Sequence, residues 1–366
     1  MGFHMAANVR KKMDKSATLH VFDVNEGICQ RFQDKFSCHG LIRIASSSKD
    51  VAQHSMTLIT MVPMDEHARE ICLHPETGVV AAGPSKDRLI LDSSTLSVSA
   101  AKDIGQQLMD DGAGIYIDTP VSGGAPGAEA GTLSFFCGSS SSSQSDLTVR
   151  RLKATLSWMS ASERVILCGR VGAGLTTKLV NNYIALASLA VAAQGAAFGV
   201  RQGLDPQTLY QCVKGSTGAS LVWNAMCPVP GVNPHSASSN SFKAGFSSRL
   251  GLKDISLAIK AGEEADIDVS MGRVASELYR QADQDPRTTV SLSSLGLVML
   301  DVKFANPLLH LVRVLTTPQS GCISMMRLDR LPHKLPEDDH YALCRSQEAM
   351  AYDCGLINSK SLSLGN

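Results

Sequence analysis

Residues 118–131 read DTPVSGGAPGAEAG, and at their centre Ser122, Gly123 and Gly124 leave three successive backbone amides with little side-chain cover. Such a nest of N–H groups holds a small anion, and a substrate carboxylate suits it. The plain alternative is an ordinary glycine-rich loop. A second stretch, GRVGAGLTTKLVNN at 169–182, passes from glycines into an apolar helix. Lys178 and Asn182 stand four apart there and share one helix face, with Asn181 beside them. A lysine ordinarily titrates near about 10.4, too high for a base at neutral pH, but apolar surroundings and a neighbouring cation lower it toward about 7–8. Lys178 can then take a hydroxyl proton; its bland alternative is a solvated lysine at a helix start. A third stretch, FKAGFSSRLGLKDISLA at 242–258, opens an apolar helical face with Lys253 and Asp254. Alone it says little, since a Lys-Asp pair most often faces water. Near the N-terminus, TLHVFDV ends close to Asp23, where the second strand of a dinucleotide fold ends. An acid at that point accepts from a ribose hydroxyl and repels a 2′-phosphate, which favours NAD over NADP, although a simple turn residue explains Asp23 equally well.

The rest of the chain bounds what these groups serve. Its 366 residues suit two domains or one large one, and 44% hydrophobic residues supply a substantial core. Lysine plus arginine and aspartate plus glutamate both number 34, so no overall field favours nucleic acid or an acidic membrane. The 10 cysteines include no CxxC pair and no Cys/His cluster at zinc spacing, a pattern that predicts reduced thiols inside a cell and no structural metal. The longest apolar run, 183–200, is rich in alanine and glycine and reads as a buried core helix rather than a membrane span. No signal peptide is expected at Met1, because Arg10, Lys11 and Lys12 stand where an apolar core would be needed.

To position the chemistry, residues 1–165 alternate helical stretches with short β-type runs at 18–23, 56–62, 88–92, 113–118 and 133–138, with 163–168 as a last candidate. That alternation predicts a mainly parallel sheet covered by helices. Beyond residue 172 the strand signal fades, and 178–203, 206–215 and 250–265 are predicted helices of a second, all-helical domain. The serine run from Ser139 to Ser145 reads as a flexible surface loop.

Taken in order, these segments resemble the β-hydroxyacid dehydrogenases, and among them the 3-hydroxyisobutyrate branch, from residue 1 to about residue 282. DTPVSGGAPGAEAGTLSF is similar to the substrate signature, GAGLTTKLVNN to the catalytic segment and LGLKDISLA to the lysine-bearing cofactor segment. MVP at 61–63 and DSST at 92–95 resemble the loops that close over the dinucleotide, and CPVPGV at 227–232 followed by GF at 245–246 points to the hydroxyisobutyrate branch. The resemblance implies an α/β fold with a Rossmann-like NAD-binding domain at 1–165 lacking its first strand, then an all-α dehydrogenase domain at 166–285 and a divergent tail at 286–366. It implies Lys178 as general acid/base, Ser122, Gly123, Gly124 and Asn182 at the substrate, and Gly2, Asp23, Val62, Pro63, His67, Thr95 and Lys253 at NAD. The implied reaction is NAD-dependent oxidation of 3-hydroxyisobutyrate to methylmalonate semialdehyde in valine catabolism. It also implies a homo-oligomer, dimer or tetramer, in the mitochondrial matrix, with no nucleic-acid or membrane partner.

The family begins with a strand leading into GxGxxG, of which only the final glycine, Gly2, has a counterpart here. In a doubly wound sheet that strand is central, so neighbouring edges are expected to stand unpaired and cofactor binding to be weak. The tail, including LVML, LLHLVRVL, LPHKLP and SKSLSLGN, follows no family pattern and reads as loosely ordered. Two other functions fit part of the pattern. One is a related small-acid enzyme such as a glyoxylate or tartronate semialdehyde reductase; the other is a non-catalytic remnant whose helical domain serves dimerisation.

Overall fold

The computed structural model describes residues 1–139, 146–240 and 247–284. Most of the predicted serine loop, the GF pair at 245–246 and the tail lie outside the described residues. The N-terminal part opens with α1 (Gly2–Lys12), whose Met5 and Val9 are buried while three cations close its last turn, complementing the helix dipole. There follow β1 (Leu19–Val21), α2 (Glu26–Phe36), β2 (Ile42–Ile44), α3 (Ser48–His54), β3 (Thr57–Thr60), α4 (Asp65–Leu73), β4 (Leu89–Asp92), α5 (Val98–Asp110) and β5 (Ile115–Asp118). Serine hydroxyls start two of the helices: Ser47 accepts from the Asp50 amide and Ser97 from the Ala100 amide.

β3, β4 and β5 pair in parallel, and all four residues of β4 are buried, as a strand covered on both faces requires. Their register sets Thr60, Asp92 and Asp118 side by side at the carboxyl ends. β1 and β2 form a separate parallel pair, and among the described residues no ladder joins it to β3, in keeping with the expected unpaired edges. β2 was not anticipated: a three-residue strand with one buried side chain carries almost no periodic signal.

After β5 the chain forms β6 (Val121–Ser122), α6 (Gly124–Ala130), β7 (Ser134–Cys137), α7 (Leu147–Leu156) and β8 (Val165–Leu167). β6 runs antiparallel to β7 and β8 parallel to it, so the sheet is mixed where the glycine-rich segment 118–131 turns back. The helical part then runs through α8 (Ala173–Arg201), α9 (Pro206–Lys214), α10 (Leu221–Met226), α11 (Ser248–Glu264) and α12 (Ser270–Gln284). α8 packs on β7 and on α9, α10, α11 and α12. The Tyr279 hydroxyl donates to the Leu186 carbonyl at 2.7 Å, and the Tyr183 hydroxyl accepts from the Gly272 amide at 3.0 Å, which ties α12 to α8.

Two expectations about α8 change. It begins at Ala173 rather than 178, because its N-cap, Gly172, has no side chain and a left-handed φ of 91°, and so gives no sequence signal for a start. It is also not buried all round: Leu186, Leu189, Ala193 and Ala196 face the core, while Ile184, Val191 and Phe198 stand exposed.

Candidate active site

Lys178 lies on the second turn of α8, and although it is a lysine only 8% of it is exposed. Its ammonium has no hydrogen-bond partner among the described residues. Burial is the chief cause of a pKa below the usual lysine value; Asp254 opposes that shift and Lys253 adds to it. One turn on, the buried Asn182 donates from Nδ2 to Asp254 Oδ2 at 2.8 Å and accepts at Oδ1 from Asn181 Nδ2 at 3.1 Å. Both amides are thereby oriented.

Asp254 and Lys253 come from the first turns of α11, which starts on a Ser247 cap. Unlike most Lys-Asp pairs, this one does not face water: Asp254 is buried and its Oδ1 lies 2.9 Å from Lys253 Nζ. α11 packs on α8, which turns this face inward. Lys253 Nζ also donates to the Thr95 carbonyl at 2.7 Å and the Pro63 carbonyl at 3.2 Å. One ammonium thus joins the helical part to the loops that follow β3 and β4. Those loops are themselves locked, since the Ser94 hydroxyl accepts from the Val62 amide at 2.9 Å.

The proposed anion cradle lies where β6 ends. Gly123 and Gly124 have φ of 133° and 64°, conformations that favour glycine. α6 starts at once from Gly123 with no side-chain cap and no acidic residue in its first turn, so its leading amides stay available. Ser122 faces Ser134 across the β6–β7 ladder.

Two buried carboxylates that sequence reasoning left without a role end the neighbouring strands β4 and β5. Asp92 is buried and accepts from the Thr60 and Tyr116 hydroxyls at 2.9 and 3.0 Å and from the Ser94 amide at 3.0 Å. Asp118 accepts from the Gly172 and Leu175 amides, each at 2.8 Å. Burial raises both pKa values, with the hydrogen bonds opposing the shift. The signal for both was present in the sequence: a carboxylate ending an apolar strand needs partners.

The residues present fit a dinucleotide. The N-terminus of α1, at Gly2, has neither a side-chain cap nor a first-turn acid, which suits a phosphate. Asp23 is exposed, with one carboxylate oxygen accepting from the Asn25 amide at 2.9 Å, and so retains acceptor capacity for a ribose hydroxyl. Val62, Pro63, Thr95 and Lys253 gather at one seam, whereas His67 stands exposed on α4 with no hydrogen bond joining it to that seam.

Residues 1–169 match the family described as the NAD binding domain of 6-phosphogluconate dehydrogenase, and residues 172–328 that described as NAD-binding of NADP-dependent 3-hydroxyisobutyrate dehydrogenase. Both indicate a nicotinamide dinucleotide, NAD or NADP, as the cofactor. The mitochondrial 3-hydroxyisobutyrate dehydrogenase of Drosophila melanogaster is 34% identical over 76% of this chain and 80% of its own length. A probable 3-hydroxyisobutyrate dehydrogenase of Mycobacterium tuberculosis is 34% identical over 68% of this chain and 80% of its own. The Mycobacterium tuberculosis 3-hydroxyisobutyrate dehydrogenase solved with L-serine superposes with a TM-score of 0.70 at 29% identity, covering 82% of this chain and 95% of that one.

Proposed function

The chain belongs to the 3-hydroxyisobutyrate dehydrogenase family of β-hydroxyacid dehydrogenases, and from that premise we propose that it oxidises 3-hydroxyisobutyrate to methylmalonate semialdehyde with NAD. The observation that carries this reading is the buried Lys178, its basicity lowered, with Asn182 held beside it by Asp254. An alcohol yields hydride only as its proton leaves, so a base must stand at the hydroxyl while the acid end is fixed. Neutral Lys178 takes the hydroxyl proton at Nζ. The remaining Nδ2 hydrogen of Asn182 orients the substrate oxygen. The Ser122 hydroxyl and the amides of Gly123 and Gly124 hold the carboxylate, since the Ser122 amide is committed to the β6–β7 ladder. Lys253 closes the seam over the dinucleotide and keeps a positive charge near Lys178, which favours the neutral amine. NAD, when bound, supplies the hydride acceptor. Gly2 would meet its phosphates and Asp23 its adenosine ribose, while Val62, Pro63 and Thr95 would line its seat, with the exposed His67 apart from that seam.

Within this reading, residues 1–165 bind the dinucleotide and 166–285 supply the base; the break between the two matched families, at residues 169–172, supports the first boundary, whereas the second match runs on to residue 328, past the expected start of the tail. Relatives named as mitochondrial support a mitochondrial site of action in valine catabolism. The test is a panel of 3-hydroxyisobutyrate, L-serine and other small β-hydroxy acids with NAD and with NADP, together with glyoxylate and tartronate semialdehyde in the reverse direction. The highest kcat/KM is expected for 3-hydroxyisobutyrate with NAD. A preference for the aldehydes would transfer the chain to the reductases, and a folded protein without dinucleotide binding would make it a remnant.

A further inference from the structure

We infer that Asp118 is a positioning residue that sets the spacing between the carboxylate cradle and Lys178; this rests on the reaction proposed above. Helix α8 needs a cap, and Gly172 at its N-cap position has no side chain to supply one. Asp118, distant in sequence at the end of β5, reaches across and accepts from Gly172 N with Oδ1 and from Leu175 N with Oδ2, both at 2.8 Å. Leu175 is the third residue of α8, and Lys178 follows it within one turn. On the other side, Asp118 is joined through Thr119 and Pro120 to β6, which carries Ser122 into the cradle. One carboxylate therefore grips the root of the base helix while its own backbone leads into the substrate loop.

The packing around it leaves no slack. Asp118 is fully buried. Its carbonyl accepts from the Gly138 amide at 2.8 Å, and the Asp92 carbonyl accepts from the Thr119 amide at 2.7 Å, so the backbone on both sides is anchored. A Cβ at Gly138 would collide with the Asp118 carboxylate, and one at Gly174 with the Phe136 carbonyl. Glycine at both places lets α8 sit directly on the carboxylate. A buried carboxylate bonded to two amides is an orienting device, not a group in reach of substrate. Its effect on the reaction passes through Lys178, where an error of about 1 Å costs on the order of a hundredfold in rate.

Asp118→Asn keeps the shape but turns a donor toward one of the two amides, and Asp118→Ala removes both acceptors. Both variants are expected to keep the wild-type circular dichroism and NAD affinity, while kcat falls by about tenfold to a hundredfold for Ala and less for Asn. The deuterium isotope effect on kcat with substrate labelled at the alcohol carbon should rise, because the hydride step becomes limiting. A simple loss of folded protein would lower the amplitude and leave that isotope effect unchanged. Folded variants with unchanged kcat and isotope effect overturn the inference. Failure of both variants to fold also overturns it, since the residue would then hold the domain rather than the spacing. Wild-type enzyme inactive toward every β-hydroxy acid would instead refute the function on which the inference rests.

Discussion

At the scale of single residues, burial and two charged neighbours act on Lys178 in opposite directions. Burial and Lys253 press its pKa down, and Asp254 holds it up. For alcohol oxidation the amine must be neutral, so kcat/KM should rise with pH through the depressed value and level off above it. Lys253→Ala removes the neighbouring cation and should move this acid limb to higher pH, whereas Asp254→Asn should move it to lower pH. Stopped-flow or steady-state pH profiles check both, and limbs that coincide with wild type would show that neither charge reaches Lys178. Stability follows the same linkage. The native value lies below that of the unfolded chain, so this group's contribution is complete above the unfolded value and is lost as pH falls through the native one. Lys178→Met should therefore abolish turnover yet stabilise the fold at neutral pH by about 1 kcal/mol, or roughly 2–4 °C in Tm. A Met variant that melts below wild type would contradict this account of the buried amine.

Among elements, the carboxyl ends of β3, β4 and β5 do the positioning. Thr60, Asp92 and Asp118 stand in register there, and Asp92 draws hydroxyls from the two flanking strands onto one carboxylate. Asp92 has a raised native pKa, so its stabilising contribution is full below the unfolded value near about 4 and declines as pH rises through the native one. Asp92→Asn keeps an acceptor for Thr60 and Ser94 and can donate to the Tyr116 oxygen. It should change the urea midpoint at pH 7 by no more than about 1 kcal/mol equivalent, with a shallower fall between pH 4 and 7 than wild type. A large loss at every pH would mean the charge itself holds the three strands. These ends also mark how far the sequence was legible. The apolar runs predicted β1, β3, β4, β5, β7 and β8, and the amphipathic helices α9 and α11, since each obeys its period over several residues. β2 was too short to show a period, and the start of α8 was hidden because its cap comes from Asp118 rather than from a neighbouring residue. The four-residue spacing placed Lys178 and Asn182 on one helix face, and both are buried on α8; the inward turn of Asp254 was not legible, because only the docking of α11 on α8 removes it from water.

For the molecule as a whole, α8 raises a question its own fold does not answer. By length and composition it is apolar enough to cross a membrane, yet α11 and α12 pack along it, and Lys178 and Asn182 lie on its buried side. Its outer face remains apolar: Val180, Ile184, Val191 and Phe198 are 55%, 60%, 56% and 68% exposed. Their spacing places them within about 40° of one another around the helix, a stripe on the order of 27 Å long. Single exposed apolar side chains are ordinary on a surface, but an aligned stripe of this length calls for a partner. A second copy of the same helix is self-complementary about a two-fold axis, and such isologous pairing is the commonest route to a homodimer. Sedimentation should therefore find the wild-type protein as a dimer or a larger even assembly at micromolar concentration. Replacing Ile184 and Val191 together by glutamate should yield monomers with unchanged circular dichroism, because both side chains point away from the core. Wild-type protein that sediments as a monomer, or that floats with lipid vesicles, would mean that this face serves something other than self-association.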